Sequence, residues 1–236
     1  MNSSPQNSTV VLVHGAWADG TSWKDVILGL KREGMRAIAA PIPLISLGDD
    51  VAALERTMAR TQGPVILAGH AYAGAVIGAV NDERVKALVY IAALAPDESE
   101  TVAQVFYKDE KHHQSPKLVP DADGFIWMPE EGFGNAFAQN ASPEQIALSA
   151  AVQRPISRTC IQEPVAKPLW RSKPAWFLIA EEDRMINPKT QDFMAKRMGA
   201  KTRSLPVDHT PLLSAPQKVV DIIMEATMER KQPISA

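Results

Sequence analysis

The chain lacks several features that would decide its class at once. Its one cysteine, Cys160, excludes an intrachain disulfide and leaves no zinc-binding spacing; it reads as a small packing residue and fits a reducing compartment. No charge excess exists either, since the formal net charge is −2 with both signs scattered along the sequence. That leaves no basic footprint for nucleic acid and no polybasic patch for an anionic membrane. No apolar run approaches the ~20 residues a membrane span needs. The weakly polar stretch from Val65 to Val80 holds His70 and three glycines and divides into a strand and a helix. Met1 to Ser8 carries neither the basic nor the apolar segment of a secretory leader. The expectation is a soluble, cytoplasmic protein. No internal repeat is visible, and only the first few residues and Lys231 to Ala236 read as loose tails.

What is present is alternation. Val10–Val13 is a β-branched run of the kind that forms a strand buried on both faces. Trp23, Val26, Ile27 and Leu30 recur at helical spacing, with Gly34 as the stop. Arg36–Ala40 reads as a second strand, and Asp49 or Asp50 as the cap of a helix carrying Val51, Leu54 and Met58. Pro64–Ala68 and Val85–Ile91 are the next strands, with a helix over Ala73–Val80 between them. After Ala95-Pro96 the pattern stops. It resumes with a strand at Ala175–Ala180, a helix at Lys189–Met198, a strand at Lys201–Leu205 and a helix at Ala215–Met228.

Alternating strands and helices predict βαβ units and a mainly parallel sheet covered on both faces, an α/β fold. Residues 9–96 and 173–230 would form the core. Residues 97–172 are too long for a plain loop and read as a small, mostly helical cap.

The chemistry centres on Gly69-His70-Ala71-Tyr72-Ala73-Gly74, directly after a strand and before a helix. So sharp a strand-to-helix turn needs small residues two positions either side of its apex, and Gly69 and Ala73 meet that demand. This is the spacing of a nucleophile elbow, G-x-S-x-G, with alanine at the apex, Ala71. His14-Gly15-Ala16-Trp17 closes the first strand, where such a turn supplies one backbone N–H of an oxyanion hole; the residue after the apex supplies the other. The donors would be Ala16 and Tyr72. Glu181-Glu182-Asp183 follows the strand at 175–180, where an acid is needed to orient a histidine. Asp183, farthest along the turn, is favoured; Asp97 is the alternative. His209 follows the last strand and is the candidate base, in the chain order elbow, acid, histidine that this fold uses. His70 should point away from the apex, and His112 and His113 read as a solvated pair rather than metal ligands.

The insertion contributes Phe106, Tyr107, Phe125, Trp127, Phe133, Phe137 and Trp170. Aromatics over a sheet edge suit an apolar pocket and equally suit packing of a cap. Phe106, Trp127 and Phe133, with His14 and Trp17 from the first turn, are the candidate substrate contacts. Oligomeric state is not legible; a homodimer through the cap or last helix is one arrangement the pattern allows.

The set Val11–Trp17, then Gly69–Ile77, then Ala87–Ile91 with Ala95–Glu98, resembles small bacterial α/β hydrolases of the esterase type, related to plant methyl-salicylate esterases and hydroxynitrile lyases. Gln153-Arg154-Pro155, Glu163-Pro164, Glu182-Asp183-Arg184 and Asp208-His209 match as well, so the similarity runs from about residue 9 to 228. The resemblance implies the α/β-hydrolase fold, carboxylesterase-like cleavage of an ester or related acyl bond in a small apolar molecule, and no cofactor. It places Ala71 at the nucleophile, His209 at the base and Asp183 at the orienting acid. Members typically read G-H-S-Y-G-G, and a methyl group cannot attack a carbonyl. Either a serine has been replaced, giving an inactive variant, or the chain does not use serine chemistry. The second case covers a non-hydrolytic small-molecule binder, and a lyase or other cofactor-free enzyme relying on the histidine.

Overall fold

The computed structural model describes residues 8–228. The tail at Lys231–Ala236, the first few residues and the last positions of the 173–230 segment lie outside them.

Six parallel strands form the central sheet: β1 (Thr9–Val13), β2 (Arg36–Ala40), β3 (Val65–His70), β4 (Val85–Ile91), β7 (Ala175–Ala180) and β8 (Lys201–Leu205), in the order β2-β1-β3-β4-β7-β8. The two-residue side-chain period sorts each strand between two cores. Val11, Val13, Leu67, Tyr90, Phe177 and Ile179 face one cluster, shared with α2 (Leu47–Met58), α3 (Ala73–Ala79) and α8 (Pro188–Arg197). Val10, Leu12, Ile66, Val89, Trp176 and Leu178 face the other, closed by Val26 and Leu30 of α1 (Lys24–Arg32) and Val219, Val220, Ile222 and Ile223 of α10 (Pro216–Met228). Double coverage explains why these strands read as continuous apolar runs. The edge strands instead expose Arg36, Lys201 and Thr202, charged and polar positions that discourage further strand addition.

The chain order reverses between β1 and β3. From β1 the chain crosses to β2 on one side and returns to β3 on the other. Loops from the two carboxyl ends therefore diverge and leave a crevice, the place where open α/β sheets bind ligands. Val13 of β1 stands beside Gly69 of β3, so the turns that follow begin side by side.

Between β4 and β7 the chain leaves the sheet. This insertion holds α4 (Val102–Phe106), a short α5 (Glu130–Gly132) running into a π-turn at Phe133–Phe137, α6 (Pro143–Ala151) and α7 (Thr159–Gln162). It also contains an antiparallel ribbon of β5 (Phe125–Ile126) and β6 (Ile156–Ser157), which the reading of a mostly helical cap missed. Strands of two residues carry no period to detect.

Three expectations need correction. The cap of α2 is Ser46, whose side chain accepts from the Asp49 amide, and Asp50 turns into the core. Strand β3 runs on through Gly69 and His70, so the turn is confined to Ala71 and Tyr72. The last helical stretch is two pieces, α9 (Pro211–Ser214) and α10, because Ala215 leaves helical geometry before Pro216. Among the described residues no helix is long and apolar enough to cross a membrane.

Candidate active site

The elbow is built by backbone geometry. Ala71 sits at φ 51°, the left-handed region that costs an L-residue about 1–2 kcal/mol. It is held there from both sides. Its amide donates to the carbonyl of Ile91 (3.3 Å), and its carbonyl accepts from the amides of Leu94 (2.9 Å) and Gly74 (3.1 Å). A trans peptide points its C=O and the following N–H in opposite directions. With the Ala71 carbonyl turned to Leu94, the Tyr72 N–H faces the other way. A Cβ on Gly69 would come within 2.7 Å of the Ala73 carbonyl, so glycine is required where helix α3 folds back on the strand.

The turn after β1 presses against this elbow. A Cβ on Gly15 would lie 2.9 Å from the Ala71 Cβ, which only glycine avoids. Trp17 is also left-handed, at φ 57°. Its amide is taken by the Arg154 carbonyl (3.0 Å) and its indole N–H by the Ile126 carbonyl (2.9 Å), so the insertion fixes this turn. No turn or cap hydrogen bond takes up the Ala16 or Tyr72 amide among the described residues. Ala16, Tyr72 and Ala71 line one cavity.

His209 lines the same cavity. Its Nδ1 lies 2.8 Å from Asp183 Oδ2. Asp183 Oδ1 accepts the amides of Met185 (2.7 Å) and Ile186 (2.8 Å), and Oδ2 also accepts from Gln191 Nε2 (2.7 Å). A carboxylate taking these donors has no proton to give, so Nδ1 carries the hydrogen and Nε2 is left as a proton acceptor. Both side chains are almost wholly buried, 2% and 0% exposed.

The insertion is hydrogen-bonded to the loops that carry Asp183 and His209. Thr210 Oγ1 donates to the Phe137 carbonyl, the Asn140 amide donates to Asp208, and Arg184 donates to the Asn135 carbonyl. The Phe137 ring stands 5.4 Å from that of His209 and 6.3 Å from that of Trp17. Behind the His209 ring, His70 Nε2 donates to the His209 carbonyl (2.8 Å). Burial and the neighbouring His209 lower the His70 pKa to about 3, so its ring is neutral and a fixed donor.

The cavity holds about 590 Å³ of empty space counted out to its open mouth. Its walls are almost entirely apolar, with Phe106, Leu118, Ile126, Ile156, Ile161 and Met185 among them. Of the aromatics offered by the sequence, Trp17, Phe106 and Tyr107 line it. The others do not. Trp127 is half exposed, with its indole N–H on Asp121. Phe133 is fully buried, edge-on to Phe137, as part of the packing under the cap. His14 is turned inward, its Nδ1 on the Gly15 carbonyl, and burial lowers its pKa to about 4. Asp97 pairs with Arg171. Of the other two acids in the β7 turn, Glu181 meets Ser204 and Glu182 meets Asn140. His112 and His113 are exposed together, and no cluster among the described residues could hold a metal ion.

Reading the sequence missed the aliphatic wall, the Gln191 contact and the carboxylate of Asp50. In the sequence Asp50 reads only as a helix cap; its contact to Tyr72 spans 22 residues and leaves no local signal.

A six-stranded parallel sheet, an elbow at its reversal point and an acid–histidine pair on the following loops define an α/β hydrolase. The chain belongs to the Alpha/beta hydrolase family, whose profile matches residues 10–222. Among curated proteins it is similar to the carbendazim hydrolyzing esterase of Nocardioides sp. (strain SG-4G), 29% identical over 113 residues, 42% of this chain and 47% of that protein. The match thus spans about half the length of that relative. Among solved structures, a pyrethroid hydrolase from Sphingobium faniae JZ-2 superposes with a TM-score of 0.79 at 19% identity, covering 95% of this chain and 99% of that one. Polyneuridine aldehyde esterase gives 0.76 at 18% identity, covering 93% and 98%. These likenesses establish the shared fold.

Proposed function

We propose that this is an esterase-type site for a small, apolar acyl compound, and that Ala71 leaves it binding such a compound without forming an acyl-enzyme. The observation that carries the reading is the His209–Asp183 pair, facing the same apolar cavity as the elbow apex. With serine at 71, the hydroxyl attacks the carbonyl carbon and His209 Nε2 takes its proton. The Ala16 and Tyr72 amides receive the negative charge that develops on the carbonyl oxygen. The protonated His209 gives the proton to the leaving alcohol, and a water activated by the same nitrogen releases the acid. With alanine, only binding and the amide pair remain, which leave a small residual rate. The names of the esterases and hydrolases with this fold support an acyl substrate; ester, lactone, carbamate and amide all fit the cavity chemistry.

The test is hydrolysis of short-chain p-nitrophenyl esters by this chain and by Ala71→Ser, side by side. The expected result is a gain of several orders of magnitude for the serine variant. A folded Ala71→Ser with no gain across a broad ester panel overturns the reading. Ala71 and Ala73 together favour one second reading, a small-molecule binder or a cofactor-free enzyme using His209 alone. Tight binding without turnover that persists in Ala71→Ser would select it.

A further inference from the structure

Asp50 is a carboxylate buried in the apolar core, 0% exposed, and no lysine or arginine pairs with it among the described residues. It is not needed to cap its helix, since Ser46 does that. Burial raises its pKa, and donors from three separate segments oppose the rise. The Leu44 amide donates to Oδ1 (2.7 Å), the Tyr72 hydroxyl to Oδ2 (2.7 Å), and the Cys160 thiol lies 3.7 Å from Oδ2. Burial, with the neighbouring acid adding to it, pushes the thiol up to about 12, so it stays a protonated donor.

One donor lines the cavity, and the other two adjoin residues that do. Tyr72 carries the elbow amide. Leu44, strained at φ 63°, accepts the Ser157 amide on its own carbonyl, next to the lining residue Ile156. Cys160 precedes the lining residue Ile161. One buried carboxylate therefore ties the elbow to the inner face of the insertion.

We infer that Asp50 is a positioning residue: through the Tyr72 phenol it holds the Tyr72 amide aimed into the cavity and fixes the Ile156–Ile161 wall against it. The inference rests on the esterase reading for the role of that amide. The phenol anchors Tyr72 at its far end, while Leu94 and Gly74 anchor the preceding carbonyl. Loss of the phenol contact frees one of these two constraints and blunts recognition of a negatively charged oxygen more than recognition of an apolar chain.

The test uses the chain as it stands, with Ala71, and two ligands of the same shape, butyrate and butyramide, titrated by NMR into the parent, Tyr72→Phe and Asp50→Asn. Thermal unfolding confirms that each variant is folded. Butyrate affinity is expected to fall about tenfold in Tyr72→Phe, with butyramide changed less than about twofold. In an Ala71→Ser background, Tyr72→Phe is expected to lower kcat roughly tenfold to a hundredfold with KM nearly constant. Equal weakening of both ligands would reduce Asp50 to a packing role and overturn the inference, as would absence of butyrate binding by the parent. If Ala71→Ser hydrolyses no ester, the esterase reading falls, and the butyrate comparison still decides the role of Asp50.

Discussion

His70 Nε2 lies 2.8 Å from the backbone carbonyl of His209, so the strand that leads into the elbow also holds the loop that carries His209. The two are 139 residues apart. In an Ala71→Ser background, His70→Phe keeps an aromatic ring and removes the donor. We expect kcat to drop about tenfold with KM little changed, because an error in base placement acts on the reacting geometry. Unchanged kcat in steady-state assays would show that the contact only packs the core.

Asp183 should matter more. It holds His209 in the tautomer that leaves Nε2 free, and an amide in its place permits the wrong one. Asp183→Asn in the same background is expected to lower kcat about 10⁴-fold, read by ester hydrolysis at neutral pH. Glu182→Gln, whose carboxylate meets Asn140 instead, should stay within about threefold.

Stability should fall in acid for a definable reason. Burial lowers His70 to about 3 and His14 to about 4, against an ordinary 6.5. Below pH 6.5 the unfolded chain binds protons that the folded chain refuses, so stability present above pH 6.5 is lost as pH falls toward 4 and 3. Asp50 and Asp208, raised by burial, act with the opposite sign. The clean reading is therefore a difference. The parent should lose more stability than His70→Phe between pH 6.5 and 4, by roughly 3 kcal/mol, in denaturant titrations. Parallel pH curves would contradict the burial of a neutral His70.

The cavity wall separates two aromatic residues of the insertion. Phe106→Ala enlarges the space facing Ala71 and should move acyl preference in the serine background toward longer chains. Trp127→Ala removes a ring that is half exposed and outside the cavity, and should leave chain-length preference unaltered. A p-nitrophenyl ester series compares them directly.

Gly69→Ala tests the elbow as architecture. Its Cβ would meet the Ala73 carbonyl at 2.7 Å, backbone that cannot rotate away. A loss of about 1–3 kcal/mol or more is expected by thermal melting. A neutral substitution would mean that α3 is free to shift.

The strands were legible because they are local, and so were Asp183 and His209 as an acid and a histidine on the loops that follow them. Val10–Val13 and Ala175–Ala180 are apolar runs whose neighbours cover both faces, and Asp183 and His209 each follow a strand directly. The elbow was legible from Gly69 and Ala73 even without its nucleophile. Phe106 and Phe133 could not be told apart, since both are aromatics in a segment without a period, and only three-dimensional packing sends one to the cavity and the other under the cap. Asp50 stood in the first turn of a helix, where acids are ordinary, and its partners Tyr72 and Cys160 lie 22 and 110 residues away.

The left-handed turn at Ala71 is maintained by Ile91, Leu94 and Gly74 through main-chain groups alone. None of these bonds involves the side chain at position 71. The turn at the apex is thus independent of the side chain that stands there. On the proposed reading, capture and cleavage are separable traits, divided by one hydroxyl at a position whose backbone is held without it.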